Sequence, residues 1–154
     1  MAQPTIRPTG DGAQGIVSPA TARALLAAKG IRPTRPRVQI GQLLFQEGGR
    51  HFTAEQIYEE AAIFRPRPVL ATIYNTLREF AQNGLLREVA VYGNRIWFDT
   101  TVGPHFHYFM DGSDELFDIP DNLVPQLQIQ PPPGMRVVGV DVVVRLEPLP
   151  VDQG

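Results

Sequence analysis

Three histidines stand in this chain of 154 residues, His51, His105 and His107, and there is no cysteine. Without thiols, no disulfide, cysteine nucleophile, iron–sulfur cluster or cysteine-bound zinc can form, so any metal chemistry must use imidazole and carboxylate. His105 and His107 lie two apart in a β-type stretch, which projects both rings from one face about 7 Å apart at the backbone, close enough to converge on one ion. Asp99 precedes that pair, Asp118 falls on the next β-type stretch, and His51 stands just before a helix. Three imidazoles and two carboxylates make a chemically reasonable shell for Mn²⁺, Fe²⁺ or Zn²⁺, with Glu115 as a substitute carboxylate. The plain alternative is a set of ordinary strand-face histidines. Two histidines and a carboxylate are also the facial triad of iron oxygenases. An enzyme is nevertheless not expected, because no other acid, base or nucleophile clusters with these residues and five protein ligands leave no position for a substrate.

A second set of residues suits nucleic acid. Residues 1–98 carry 12 basic and 7 acidic side chains, about +5, whereas residues 99–154 carry 2 basic and 9 acidic, about −7. In the basic half, Arg32, Arg35 and Arg37 cluster around one turn, where they could neutralise phosphates. Farther on, Thr72, Asn75 and Arg78 share the polar side of a helical pattern, with Tyr74 on its flank. Asn reads adenine bidentately, Thr and Tyr meet thymine methyls, and Arg takes guanine or phosphate. A polar face that is merely solvated is the bland reading. The neighbouring arginines and the charge asymmetry weigh against it.

These side chains need elements to hold them. Residues 1–17 are rich in Gly, Pro and Gln and read as a flexible arm. A first helix spans 19–29, capped by Ser18 and stopped by Gly30. A second starts near Arg35 after Thr34, with Pro36 in its first turn, and ends before Gly48-Gly49. A third starts at Thr53, where Gln56 completes a capping box. The fourth runs from 68 or 69 to Asn83, with Leu70, Ile73, Leu77, Phe80 and Ala81 on one face. Two β-type stretches, 85–91 and 95–99, join through Tyr92-Gly93-Asn94 in a tight hairpin. Helices followed by a hairpin describe a winged helix-turn-helix over 18–99. Residues 100–148 then form a smaller domain, with strands expected over 106–110, 115–118 and 136–146, the turn at 111–114, a weakly helical piece over 121–129, and a tail over 149–154. Val137, Val138, Val140, Val142, Val143 and Val144 make the last strand apolar on both faces, which in so small a unit calls for a partner chain. The fold class is α+β, and a homodimer is expected. No apolar run approaches the roughly 20 residues a bilayer needs, and no export signal is read, so a cytoplasmic protein with no membrane partner is expected.

Gly30-Ile31-Arg32-Pro33-Thr34-Arg35-Pro36-Arg37, His51-Phe52-Thr53-Ala54-Glu55, Ala71-Thr72-Ile73-Tyr74-Asn75-Thr76-Leu77, Gly84-Leu85-Leu86 and the histidine group together resemble the ferric uptake regulator family over residues 20–119. Within it the detail is most similar to the iron response regulator branch, Irr. The residues that carry this are Tyr74-Asn75-Thr76-Leu77, Trp97-Phe98-Asp99-Thr100, His107-Tyr108-Phe109 and Glu115-Leu116-Phe117-Asp118-Ile119. The resemblance implies an N-terminal winged-helix domain on double-stranded DNA, a small C-terminal α/β dimerisation domain, and a metal held at the hinge. It places the regulatory ligands on His51, Asp99, His105, His107 and Asp118. The family's four-cysteine zinc site cannot exist here, and Pro104 and Phe106 stand where a second site would need His and Asp, so one divalent metal per chain is expected. The branch also implies haem sensing, for which His105 and His107 are the available ligands, although the Cys-Pro motif is missing and Phe106 interrupts the histidine run. The function so implied is a dimeric, sequence-specific regulator of iron and haem homeostasis on an AT-rich inverted repeat. Its alternatives are a regulator of the same family that senses Mn or Zn without haem, and a DNA-binding protein whose metal site is purely structural.

Overall fold

The computed structural model describes residues 15–150 except 47, 92, 114 and 125. The arm over 1–14, the end of the tail over 151–154, Tyr92 in the hairpin turn and Asp114 therefore lie outside the described residues. The chain divides after Val102 into two compact units.

The first unit contains α1 (Pro19–Ala28), α2 (Arg35–Leu44), β1 (His51–Thr53), α3 (Ala54–Glu60) with a 3₁₀ turn (Ala61–Ile63), α4 (Leu70–Gln82), β2 (Arg87–Val89) and β3 (Trp97–Asp99). Local chemistry sets these boundaries. Ser18 accepts the Thr21 N–H at 3.1 Å and starts α1. Gly30 follows the helix at φ +70°, a conformation that side chains with a Cβ avoid. Thr34 occupies the N-cap of α2, but its hydroxyl makes no capping bond. Pro36, second in the helix, has no N–H to offer it. The capping box of α3 is complete: the Gln56 N–H donates to Thr53 Oγ1 at 3.3 Å and the Thr53 N–H to Gln56 Oε1 at 2.9 Å. Val69 precedes α4 with no side-chain cap.

One apolar core unites these helices. Leu26, Ile40, Leu44, Ile57, Ile73, Leu77 and Phe80 are fully buried, and Phe45 packs on Phe80 with ring centroids 5.7 Å apart. Leu26 comes from α1, Ile40 and Leu44 from α2, Ile57 from α3, and the rest from α4, so all four helices share the core. The strands form one antiparallel sheet in the order β1-β3-β2. Its central strand stacks Phe98 on Phe52 with ring centroids 5.9 Å apart. The antiparallel pair β2–β3 stands where the wing is expected, but its strands are three residues each instead of 85–91 and 95–99, so residues 92–94 alone do not join them as a tight hairpin. The strand β1 was not expected: three residues between two glycines and a helix cap carry no alternation to read.

The second unit has β4 (His107–Met110), β5 (Glu115–Asp118), a 3₁₀ turn (Asp121–Leu123) and β6 (Val143–Leu146), in the sheet order β5-β4-β6. The strand β4 runs antiparallel to β5 and parallel to β6. Two expectations are corrected. The helical piece over 121–129 is only the 3₁₀ turn, because Pro120 and Pro125 bracket too few residues for an α-helix. The last strand is four residues long instead of eleven; it pairs with β4, and Val144 on it and Val138 ahead of it are exposed in the single chain.

Candidate metal centre and nucleic-acid interface

Each unit builds a histidine–aspartate pair by the same device. In the first, the antiparallel register sets His51 opposite Asp99, so their side chains leave the sheet together. His51 Nε2 lies 3.0 Å from Asp99 Oδ2, with both side chains almost wholly buried. The other Asp99 oxygen, Oδ1, accepts the Thr101 N–H at 2.7 Å, which fixes the carboxylate's orientation. In the second unit the register sets His107 opposite Asp118. His107 Nε2 is 3.6 Å from Asp118 Oδ1, and His105 Nε2 is 3.3 Å from the same oxygen.

The alternation expected for His105 and His107 holds, with ring centroids 4.4 Å apart in an edge arrangement. His105 Nδ1 is 2.7 Å from the Gly103 carbonyl. A carbonyl oxygen only accepts, so Nδ1 carries a proton, and in the neutral ring this leaves the Nε2 lone pair for a metal. The atoms of His105, His107 and Asp118 that could bind an ion all lie within 4.8 Å of one another. Two donors at about 2.1 Å from one ion stand at most about 4.2 Å apart, so the spacings at Asp118 and between His51 and Asp99 suit a divalent metal with little adjustment. Imidazole and carboxylate without thiolate suit Mn²⁺, Fe²⁺ and Zn²⁺. Glu115 lies at the far end of β5, bonded to Ser113, and joins neither pair.

The residues expected to meet DNA lie on the first unit. On α4, Asn75 and Arg78 are exposed, and Thr72 and Tyr74 are half-buried, while Ile73, Thr76, Leu77 and Phe80 face inward. Arg32 and Arg35 are exposed, and Arg35 donates to the Arg65 carbonyl. Arg37 is engaged inside the unit: Nη2 is 2.5 Å from Glu79 on α4, and Nη1 donates to the Arg32 carbonyl at 2.9 Å. It therefore ties α2 to α4. The Tyr74 hydroxyl donates to Glu55 Oε1 at 2.6 Å. That bond holds the Glu55 carboxyl below its ordinary range, with Arg95 adding a smaller push, and it raises the Tyr74 phenol. Sequence reasoning missed Glu55 and Glu79, which lie 19 and 42 residues from their partners and show no local signal.

Paired strands that present His/Asp groups, beside a winged helix-turn-helix, bring the ferric uptake regulator family to hand, and that family's sequence profile matches residues 28–144. The chain belongs to this family. The ferric uptake regulation protein of Haemophilus influenzae is 29% identical over 108 residues, covering 68% of this chain and 72% of that protein. The peroxide-responsive repressor PerR of Staphylococcus aureus is 32% identical over 95 residues, covering 62% of this chain and 64% of that one. Among solved structures, the ferric uptake regulator of Pseudomonas aeruginosa with manganese is 25% identical and matches 82% of this chain and 97% of its own with a TM-score of 0.60. The Vibrio cholerae ferric uptake regulator, 19% identical, shares the fold at a TM-score of 0.63 over 81% of this chain and 98% of its own. These relatives of the ferric uptake regulator family are regulators, not enzymes. No helix among the described residues is long and apolar enough to cross a membrane.

Proposed function

We propose that this ferric uptake regulator family member is a dimeric, sequence-specific DNA-binding regulator of iron homeostasis of the Irr type, with one divalent metal site per chain. The observation that carries the reading is the repeated cross-strand pairing, His51 with Asp99 and His107 with Asp118. Two such pairs, with His105 added to the second, supply the five ligands. The ion would contribute charge neutralisation and a fixed geometry.

The chain's own residues do the rest. Thr101 holds Asp99, and the Gly103 carbonyl holds His105 in the tautomer that ligates. An ion that took ligands from both units would restrict the orientations open to them, and metal and DNA affinity would then be coupled reciprocally. On DNA, α4 lies in the major groove with Thr72, Tyr74, Asn75 and Arg78 toward base edges, on an AT-rich inverted repeat. Arg32 and Arg35 meet phosphate, and Arg37 supports them while bracing α4 through Glu79. Tyr74-Asn75-Thr76-Leu77 and a second unit without cysteine favour the Irr branch, in which haem at His105 and His107 opposes DNA binding.

The test is anisotropy at fixed salt on an iron-regulated promoter duplex, with chelated, Mn²⁺-loaded and haem-loaded protein, in wild type and in His105→Ala/His107→Ala. Affinity is expected to rise at least tenfold with metal, fall with haem, and lose both responses in the double variant. Specific binding indifferent to all three states would leave the histidines structural. A response to metal without one to haem would assign a Mn-, Zn- or Fe-sensing regulator outside the Irr branch.

A further inference from the structure

Tyr74 sits at the edge of the reading face, with its ring packed against the core and its hydroxyl donating to an exposed carboxylate on another helix. That carboxylate, Glu55, stands in the first turn of α3, where the helix's unpaired N–H groups favour a negative charge. At 2.6 Å the bond has the length of a charge-assisted one. The surroundings on both sides are basic: Arg95 from the wing bears on Glu55, and Arg78 from α4 bears on Tyr74.

We infer that Glu55 is a specificity-determining positioning residue: by taking the only proton of the Tyr74 hydroxyl, it turns Tyr74 into a fixed apolar reader of thymine methyl groups. A phenol has one donor. While Glu55 holds it, Tyr74 cannot donate to a purine N7 or to a phosphate, and the ring, pinned at the core and at the hydroxyl, keeps one orientation. What remains toward the groove is an aromatic edge, which fits a methyl group. A carboxylate on a DNA-facing surface also weakens binding to every duplex through phosphate repulsion. The benefit of holding Tyr74 accrues only where a thymine lies beneath it, so the two effects together raise the ratio of specific to random affinity.

This inference rests on the proposed DNA-binding function, and its test keeps the two apart. An inverted-repeat duplex is selected from random sequence with Mn²⁺-loaded wild-type protein, then rebuilt with deoxyuridine for each thymidine in turn, which removes a single methyl group. Wild type is expected to lose about fourfold in affinity per half-site at one or two positions, the worth of one buried methyl. Glu55→Ala is expected to bring that ratio close to one while binding random duplex more tightly. Glu55→Gln keeps the acceptor and should retain the ratio. Tyr74→Phe keeps the ring without the hydroxyl and should lose part of it. Circular dichroism and urea midpoints close to wild type establish that the variants are folded. Full retention of the thymidine-to-deoxyuridine ratio in Glu55→Ala, or a wild-type ratio of one at every position, would overturn the inference. Recovery of no duplex by wild type would overturn the DNA-binding reading itself.

Discussion

The bond between Tyr74 and Glu55 has a pH signature that follows from its direction. Folding lowers the Glu55 carboxyl below its ordinary 4.5, chiefly through the Tyr74 hydroxyl, so the bond's contribution is present above that value and is lost as pH falls through the folded one. Folding also raises the Tyr74 phenol above 10, for which the sense is reversed: its contribution is full below 10 and is lost as pH rises through the raised value. The stabilisation is therefore whole from about pH 5 to pH 10. Both side chains meet solvent, so its size belongs at the low end for a hydrogen bond, about 0.5 kcal/mol. Tyr74→Phe should lower the urea-derived unfolding free energy by about that much at pH 7, and the gap from wild type should narrow as pH falls below 4.5 through the lowered folded value. A gap that stays unchanged however far the pH falls below 4.5 would mean that the hydroxyl acts through something other than the carboxylate.

At the scale of elements, what matters is how closely α1, α2 and α4 approach, since α4 can present a reading face only if its other side is held. Gly41 in α2 lies at that approach: a Cβ there would stand 2.8 Å from the ring of Phe45, which packs on Phe80, and 3.4 Å from the Cβ of Ala22 on α1. Gly41→Val should destabilise the fold by about 1–3 kcal/mol, read as a lower urea midpoint at unchanged slope. A midpoint equal to wild type would show that the ring moves aside freely. Gly41 gave no such message in the sequence, where a glycine inside a helical pattern reads only as a weak spot. The helices themselves were legible, because Ser18, Thr53-Gln56, Gly30 and Gly84 punctuate a 3.6-residue period that the core then satisfies. So were the wing and the histidine pair, whose rings stay adjacent although His105 stands two residues ahead of β4. The strand β1 was not, since its three residues gain strand geometry only by pairing with β3, 46 residues away by register. Nor was the second unit's last strand, because valine content states a preference for extended backbone and does not say which valines find a hydrogen-bonding edge. The ligand residues were visible by type, and the registers that set His51 opposite Asp99 and His107 opposite Asp118 were not.

For the whole molecule, surface chemistry differs between the two units, and each difference has a measurable result. The second unit leaves Leu127, Ile129, Met135, Val137 and Val138 exposed within one stretch, with Val138 at 86%. So much exposed apolar surface on fewer than 60 residues fits the subunit interface of the proposed dimer. Val138→Asp should shift dimers toward monomers in light scattering at micromolar concentration, and a mass unchanged from wild type would place the interface elsewhere. The first unit's chemistry is electrostatic. The excess of about five positive charges over residues 1–98 is reduced where Arg37 pairs with Glu79 and Arg50 with Glu60, so the arginines left to meet phosphate are fewer than the composition suggests. Arg32 and Arg35 are exposed, and Arg35 donates to a backbone carbonyl instead of a carboxylate. Each phosphate contact contributes about 0.9 to the slope of log affinity against log salt, and a dimer on an inverted repeat makes every contact twice. Arg35→Ala should therefore reduce that slope by about 1.8 and weaken specific and random duplexes alike. Arg37→Ala should behave differently, since it removes one charge and releases Glu79: it should lower the thermal midpoint and loosen sequence preference while moving the salt slope less. Equal slopes and equal midpoints for the two variants would mean that Arg37, too, reaches the phosphates, and that its bond to Glu79 opens when DNA arrives.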